Sequence, residues 1–171
     1  MHIPASATCL RLILASLLLG AATNAQQLTA SQKSLKSIAG VYFFVDKFGD
    51  VERYGVNLDD LTSSVALRFR QAGIRVYTKQ EWERDSRLPT FYVQVSAYKS
   101  SYGPFCAFHV KADLFQEVRI PQIDLQTAAS TWNKDTVATS GPEFVGEGIK
   151  SDVGKLVDLF IRDFLVANDK R

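Results

Sequence analysis

Hydrophobic positions along this chain follow two periods, and the change from one to the other divides it into strands and helices. The run Gly40-Val-Tyr-Phe-Phe-Val-Asp-Lys-Phe48 places four β-branched or aromatic residues directly after Val41. Both of its faces are apolar, which predicts an interior strand, covered on both sides or left with a partly exposed aromatic face. Asn57 then precedes Leu58, Leu61, Val65 and Phe69, which recur at steps of three and four. That spacing predicts an amphipathic helix capped by Asn57, with Asp59 and Asp60 in its first turn. Gly73 followed by Ile74 predicts a Schellman-type stop. A short strand over Arg75–Thr78 completes a strand–helix–strand unit, for which parallel pairing with a right-handed crossover is expected.

Lys79–Pro89 is charged and has room for one helical turn around Glu81-Trp-Glu83. Beyond it the period falls to two. Phe91, Val93, Val95 and Ala97 share one face of a strand over Thr90–Tyr98. In Phe105–Ile120 the even positions from Cys106 to Leu114 are apolar, while His109, Lys111 and Asp113 occupy the other face, as in an antiparallel strand with one wet face. Tyr102-Gly-Pro104 is the turn between these two strands. A third strand is predicted over Gln126–Trp132, then a Gly/Ser/Pro loop over Thr136–Gly146. The final helix has Ser151 as its cap and Ile149, Val153, Leu156, Val157, Phe160, Ile161, Phe164 and Leu165 as its stripe. The predicted order is β-α-β-(α)-β-β-β-α. The fold class is α+β, an α/β sandwich with a mixed sheet of about five strands and two main helices on one face.

The amino end follows a different pattern. Arg11 precedes the apolar run Leu12–Leu19, and small residues follow from Gly20 to Ala25. Roughly 7–15 apolar residues followed by small residues at −3 and −1 form a signal peptide, whereas a membrane-spanning helix needs about 20. Residues 1–25 are therefore expected to be cleaved between Ala25 and Gln26. The remaining regions are then a flexible lead-in over 26–38, one α/β domain over 39–168 and a polar tail over 169–171. The expected location is periplasmic or secreted, with no membrane span after cleavage.

Cleavage leaves 146 residues, the size of one ordinary domain. It removes Arg11 from 20 basic residues, so 19 face 18 acidic ones and the net charge is +1. That balance offers no footprint for nucleic acid. It also removes Cys9, leaving Cys106 as the only thiol, too few for an internal disulfide. Cys106 reads either as a nucleophile or intermolecular bridge, or as a buried small apolar residue.

Catalytic constellations are sparse. His109 is the one histidine after cleavage, and its three-residue spacing from Cys106 puts the two on opposite faces of a strand. One His and one Cys do not make a metal site, and no Asp/Asn-rich calcium loop occurs. Gly141-Pro-Glu-Phe-Val-Gly-Glu-Gly148 lacks a Gly-Lys-Ser/Thr ending, and its two glutamates would repel phosphate, so it reads as a flexible loop. No catalytic, cofactor-binding or metal-binding residue is assigned, and no cofactor is expected. The candidates for a partner surface are aromatic: Tyr92 and Tyr98, opposite Val93 and Val95, and Trp132. The alternative for Trp132 is packing beneath a helix end.

Val41–Phe48, the helix Asn57–Gly73 with Ile74-Arg-Val76, the hairpin Phe91–Leu114, Thr131-Trp132 and the helix Asp152–Leu165 together form a recognisable order of elements. With the export signal, this order resembles the small envelope domain at the amino end of the translocation protein TolB and of related outer-membrane accessory proteins. It also resembles stand-alone bacterial periplasmic proteins. The resemblance covers most of the exported chain, which has no room for a propeller like the one that follows this domain in TolB. It implies contact with another envelope protein and supplies no functional residue. The expectation is a non-enzymatic periplasmic interaction or accessory domain. The alternative is a carrier for a small apolar ligand between sheet and helices, and a hydrolase ranks behind both.

Overall fold

A computed structural model describes residues 27–169, so the expected signal peptide and its cleavage point lie outside the described residues. The elements are α1 (Ala30–Lys33), β1 (Gly40–Gly49), α2 (Leu58–Gln71), β2 (Arg75–Val76), α3 (Lys79–Arg84), β3 (Thr90–Lys99), β4 (Cys106–Ile120), β5 (Leu125–Ser140) and α4 (Val145–Ala167). The five strands form one open sheet in the order β2-β1-β3-β4-β5. β1 pairs in parallel with β2 and β3, while β3, β4 and β5 are antiparallel neighbours. The α+β class and mixed sheet are as the hydrophobic periods predict.

Local chemistry accounts for the ends of α2. Asn57 accepts from the backbone N–H groups of Asp59 and Asp60 at 2.8 and 3.3 Å. At the other end Gly73 takes φ +69°, and the Ile74 N–H donates to the Phe69 carbonyl at 2.9 Å, closing the Schellman motif. Buried Phe69 and Ile74 then fix the direction in which the chain enters β2.

The core lies on one face of the sheet, beneath α2 and α4. Phe69 meets Phe91 edge-on at 5.2 Å, Phe160 lies 4.6 Å from Phe91, and Trp132 packs edge-on against Phe160 at 5.1 Å. Aromatic pairs in such offset and edge-to-face arrangements gain about 0.5–1.5 kcal/mol each beyond the area they bury. Asp163, in α4, is buried and accepts from Trp132 Nε1 and from Gln32 Nε2, both at 3.0 Å. One carboxylate thus ties β5 and α1 to α4.

Four features differ from the sequence reading. Residues 27–38, expected as a flexible lead-in, are docked through fully buried Leu35 and the Gln32–Asp163 bond. Asn168 holds the same segment, donating to the Leu35 carbonyl and accepting from the Ser37 N–H. The anchor is a single apolar residue, which gives no periodicity to read. β5 continues to Ser140, past the predicted end at Trp132, because its second half pairs with the first half of β4. This half of the edge strand, Asn133–Ser140, is mostly polar and small, with no apolar alternation to reveal it.

α4 begins at Val145 rather than near Ser151. The expected flexible loop Gly141–Gly148 therefore divides into a 3-10 turn over Pro142–Phe144 and the first turn of α4. Gly146 and Gly148 are small because α4 lies against other parts of the fold. A Cβ on Gly146 would overlap the Tyr54 carbonyl oxygen, and one on Gly148 would sit 2.6 Å from the Phe108 ring. Finally, Trp132 is fully buried in the aromatic cluster, so it is a core residue and forms no part of a partner surface.

Candidate functional site

Because α2 and α4 cover one face, strand alternation sends every second residue to the other. The pairing register aligns these residues in rows across the sheet. Phe44, Tyr92, Asp113 and Asn133 form one row, Asp46, Gln94, Lys111 and Asp135 the next, and Phe48, Ser96, His109 and Val137 a third. Neither long helix packs on this side.

Aromatic rings run along β1 and β3. Trp82 of α3 stacks on Tyr42 at 5.1 Å and donates from Nε1 to Thr90 Oγ1 at 3.1 Å, closing one end of the face. Phe44 follows at 6.2 Å from Tyr42 and leans on Tyr92 at 4.8 Å. Beyond this point the rings reach solvent, with Phe44, Phe48 and Tyr98 exposed at 40%, 46% and 57%. Scattered exposed apolar residues are ordinary on protein surfaces. Three exposed rings on one side of adjacent strands make a patch, and apolar patches of this kind mark contact sites.

Polar groups occupy the other half. Asp113 is buried at the base of the face, where it pairs with Lys111 Nζ at 2.8 Å and accepts from Ser130 Oγ at 2.9 Å. His109 Nε2 lies 3.5 Å from Asp135 Oδ2. Tyr92 donates its hydroxyl to Asp46 Oδ2 at 3.3 Å. Partial burial, then the charge of Asp46 and this hydrogen bond, raise the Tyr92 phenol above its usual range. Tyr92 is therefore a neutral donor at any physiological pH, and it orients the Asp46 carboxylate.

Of the aromatic candidates, the structure brings Tyr92 and Tyr98 to this face and takes Trp132 away. The sequence reading missed Phe44, Phe48 and Asp46. Both faces of β1 are apolar, so periodicity alone does not tell which of its rings is covered. Cys106 and His109 fall on opposite faces, as their spacing requires. Cys106 is buried and its thiol donates to the Tyr54 hydroxyl at 3.2 Å. That hydrogen bond, and burial after it, raise the Tyr54 phenol above its usual range.

Among the described residues, no three His, Cys, Asp or Glu side chains converge as metal ligands, and no helix is long and apolar enough to cross a membrane. Between the sheet and the helices lies the aromatic cluster of Phe69, Phe91, Trp132 and Phe160. A groove of about 240 Å³ lies between α2 and α4, lined by Leu61, Val65 and Val153 with Arg68 and Lys150.

No protein-family model matches the sequence, and no curated protein matches it. Among solved structures, the chain is similar to a PelC dodecamer from Paraburkholderia phytofirmans, with a TM-score of 0.41 at 15% identity over 74% of this chain and 86% of that one. It is similar to lipoprotein GNA1162 from Neisseria meningitidis, with a TM-score of 0.36 at 13% identity over 70% of this chain and 99% of that one. It is similar to a minor lipoprotein from Acinetobacter baumannii, with a TM-score of 0.35 at 6% identity over 77% of this chain and 92% of that one. At these scores the similarities carry no argument about activity or partners, and they give the TolB resemblance no support of its own.

Proposed function

We propose that this chain is a non-enzymatic interaction domain of the bacterial cell envelope that works through the open face of its sheet. The observation that carries the reading is the group of exposed rings, Phe44, Phe48 and Tyr98, on the side that neither long helix covers. The signal-peptide pattern of residues 1–25 supports the compartment, and the resemblance in element order supports the envelope setting. In this reading the bare face of the sheet is the platform on which another protein is held.

The test is capture from an envelope extract of the native host, using the parent protein and the Phe44→Ser/Phe48→Ser double variant. Full burial of a Phe side chain contributes about 1.5–3 kcal/mol, and these two are a little under half exposed. Covering both at a contact therefore contributes about 2 kcal/mol, or roughly thirtyfold in affinity. The expected result is a partner recovered reproducibly by the parent and lost by the double variant, which loses the packing of Phe44 on Tyr42 and Tyr92 and is therefore tested at a temperature where its circular dichroism shows it folded. Absence of any reproducible partner, or equal capture by the variant, overturns the proposal. Turnover in a broad hydrolase screen would overturn its non-enzymatic part. Amino-terminal sequencing of exported protein should begin at Gln26, and an intact Met1 would refute the export reading.

A further inference from the structure

Three carboxylates stand in the rows across the open face and differ in their surroundings. Asp113 has Lys111 and Asp135 has His109. Asp46 takes the Tyr92 hydroxyl and the Lys47 backbone N–H, at 3.3 and 2.8 Å, but makes no ion pair among the described residues. It is half-buried in the middle of β1, between Phe44 and Phe48 on the same face. Two residues along a strand span about 7 Å, so a ring lies on either side of the carboxylate within reach of one bound group. A carboxylate held in place by a tyrosine and flanked by exposed rings matches the chemistry of a guanidinium. That group is planar and weakly hydrated, it stacks on aromatic faces, and it pairs with carboxylates in a fork.

The charge of the face decides which kind of protein covers it. In the rows of this face Asp46, Asp113 and Asp135 stand against Lys111 and His109, and farther along β4 Glu117 and Arg119 offset one another. A second copy laid face to face would oppose two such acidic surfaces. A basic surface would complement this one. Size points the same way. The four strands β1, β3, β4 and β5 at about 4.8 Å spacing, over about eight residues each, present roughly 500 Å². This is below the roughly 800 Å² per partner of standard stable interfaces and is in the range of transient contacts.

We propose that the open face docks a partner protein through an arginine seated on Asp46 between Phe44 and Phe48, and that this partner is not a second copy of the chain. The inference rests on the open-face reading and adds to it the chemistry of the partner.

The experiment titrates uniformly ¹⁵N-labelled protein with two acetylated, amidated pentapeptides, Phe-Arg-Val-Arg-Phe and Phe-Glu-Val-Glu-Phe. Amide shifts are followed by NMR at roughly 20 and 300 mM salt, where screening changes severalfold. The arginine peptide should shift amides over residues 42–48 and 92–98. Its binding should weaken at high salt and fall at least fivefold in Asp46→Asn. That variant keeps an oxygen for Tyr92, and its circular dichroism and melting temperature should match the parent. The glutamate peptide should leave these amides unmoved. Equal binding of the two peptides, shifts confined to α2 and α4, or unchanged affinity in a folded Asp46→Asn would overturn the inference. So would concentration-dependent dimerisation abolished by Phe44→Ser/Phe48→Ser in sedimentation.

The two proposals fail in different ways. If Asp46→Asn retains the captured envelope partner while Phe44→Ser/Phe48→Ser loses it, the arginine inference falls and the docking face stands. If all variants retain the partner, the docking face falls as well.

Discussion

Replacing Gly146 by alanine isolates the contact that fixes the start of α4. Alanine is the better helix former by about 1 kcal/mol, so propensity alone favours this exchange at each of the three glycines of α4. The structure separates them. At Gly146 the new methyl would overlap the Tyr54 carbonyl oxygen, a backbone atom that has no rotamer to escape into. At Gly154 it would meet only an Arg68 guanidinium nitrogen at 3.1 Å. That side chain is more than a third exposed and crosses the glycine to reach Asp158, with Nη1–O distances of 2.6 and 2.7 Å. At Gly148 the obstacle is the end of the buried Phe108 ring, 2.6 Å away.

Overpacking costs about 1–3 kcal/mol, and an obstacle in the backbone puts Gly146 at the upper end. Subtracting the propensity gain leaves Gly146→Ala about 2 kcal/mol less stable, a melting temperature about 6 °C lower for a domain of this size. Gly154→Ala should be neutral or gain up to about 1 kcal/mol, and Gly148→Ala should fall between the two. Urea denaturation and calorimetry on the three variants measure the order. A Gly146→Ala protein as stable as the parent, or a Gly154→Ala protein destabilised as much as Gly146→Ala, would refute the account of why α4 begins where it does.

Two further predictions concern the core. Burial opposes charge on Asp163, but hydrogen bonds from Trp132, Gln32 and Arg162 outweigh it and lower the carboxyl pKa. A lowered carboxyl pKa stabilises the fold above the ordinary Asp range, and this contribution is lost as pH falls through that range toward the folded value. Asp163→Asn should therefore be about 1–3 kcal/mol less stable at neutral pH and lose less stability in acid; parallel acid limbs for the two proteins would rule this out. Cys106 is fully buried and bonded to Tyr54, so in protein of residues 26–171 a thiol reagent should modify the native chain at least about a thousandfold more slowly than the unfolded one. Rapid native labelling would contradict the placement.

How much of this architecture could be read from the sequence depended on whether local chemistry or distant contacts set each feature. The limits of α2 were legible because Asn57, Gly73 and Ile74 are the cause of those limits. The pairing of β3 with β4 was legible because alternation with one wet face survives in both strands. The start of α4 was not, since Phe144 makes no side-chain cap and the glycines after it answer to Tyr54 and Phe108 from elsewhere in the fold.

The candidate site divides in the same way. Tyr92 and Tyr98 could be assigned to the face opposite the core because strand period two fixes direction once one face is known. Trp132 required the structure, because whether a ring at a strand position meets solvent or a helix depends on where Phe160 and Asp163 arrive from α4. The same holds for Phe44, Phe48 and Asp46. The sequence by itself determined that β1 would be apolar on both sides and that two amphipathic helices would seek a sheet. Both long helices settle on one side, as the order of elements predicts, and only the tertiary structure decided which rings of β1 that side covers. Burying Val41, Phe91, Val93 and Leu114 under two helix stripes satisfies the core, and it leaves the opposite rings uncovered around Asp46, which makes no ion pair among the described residues.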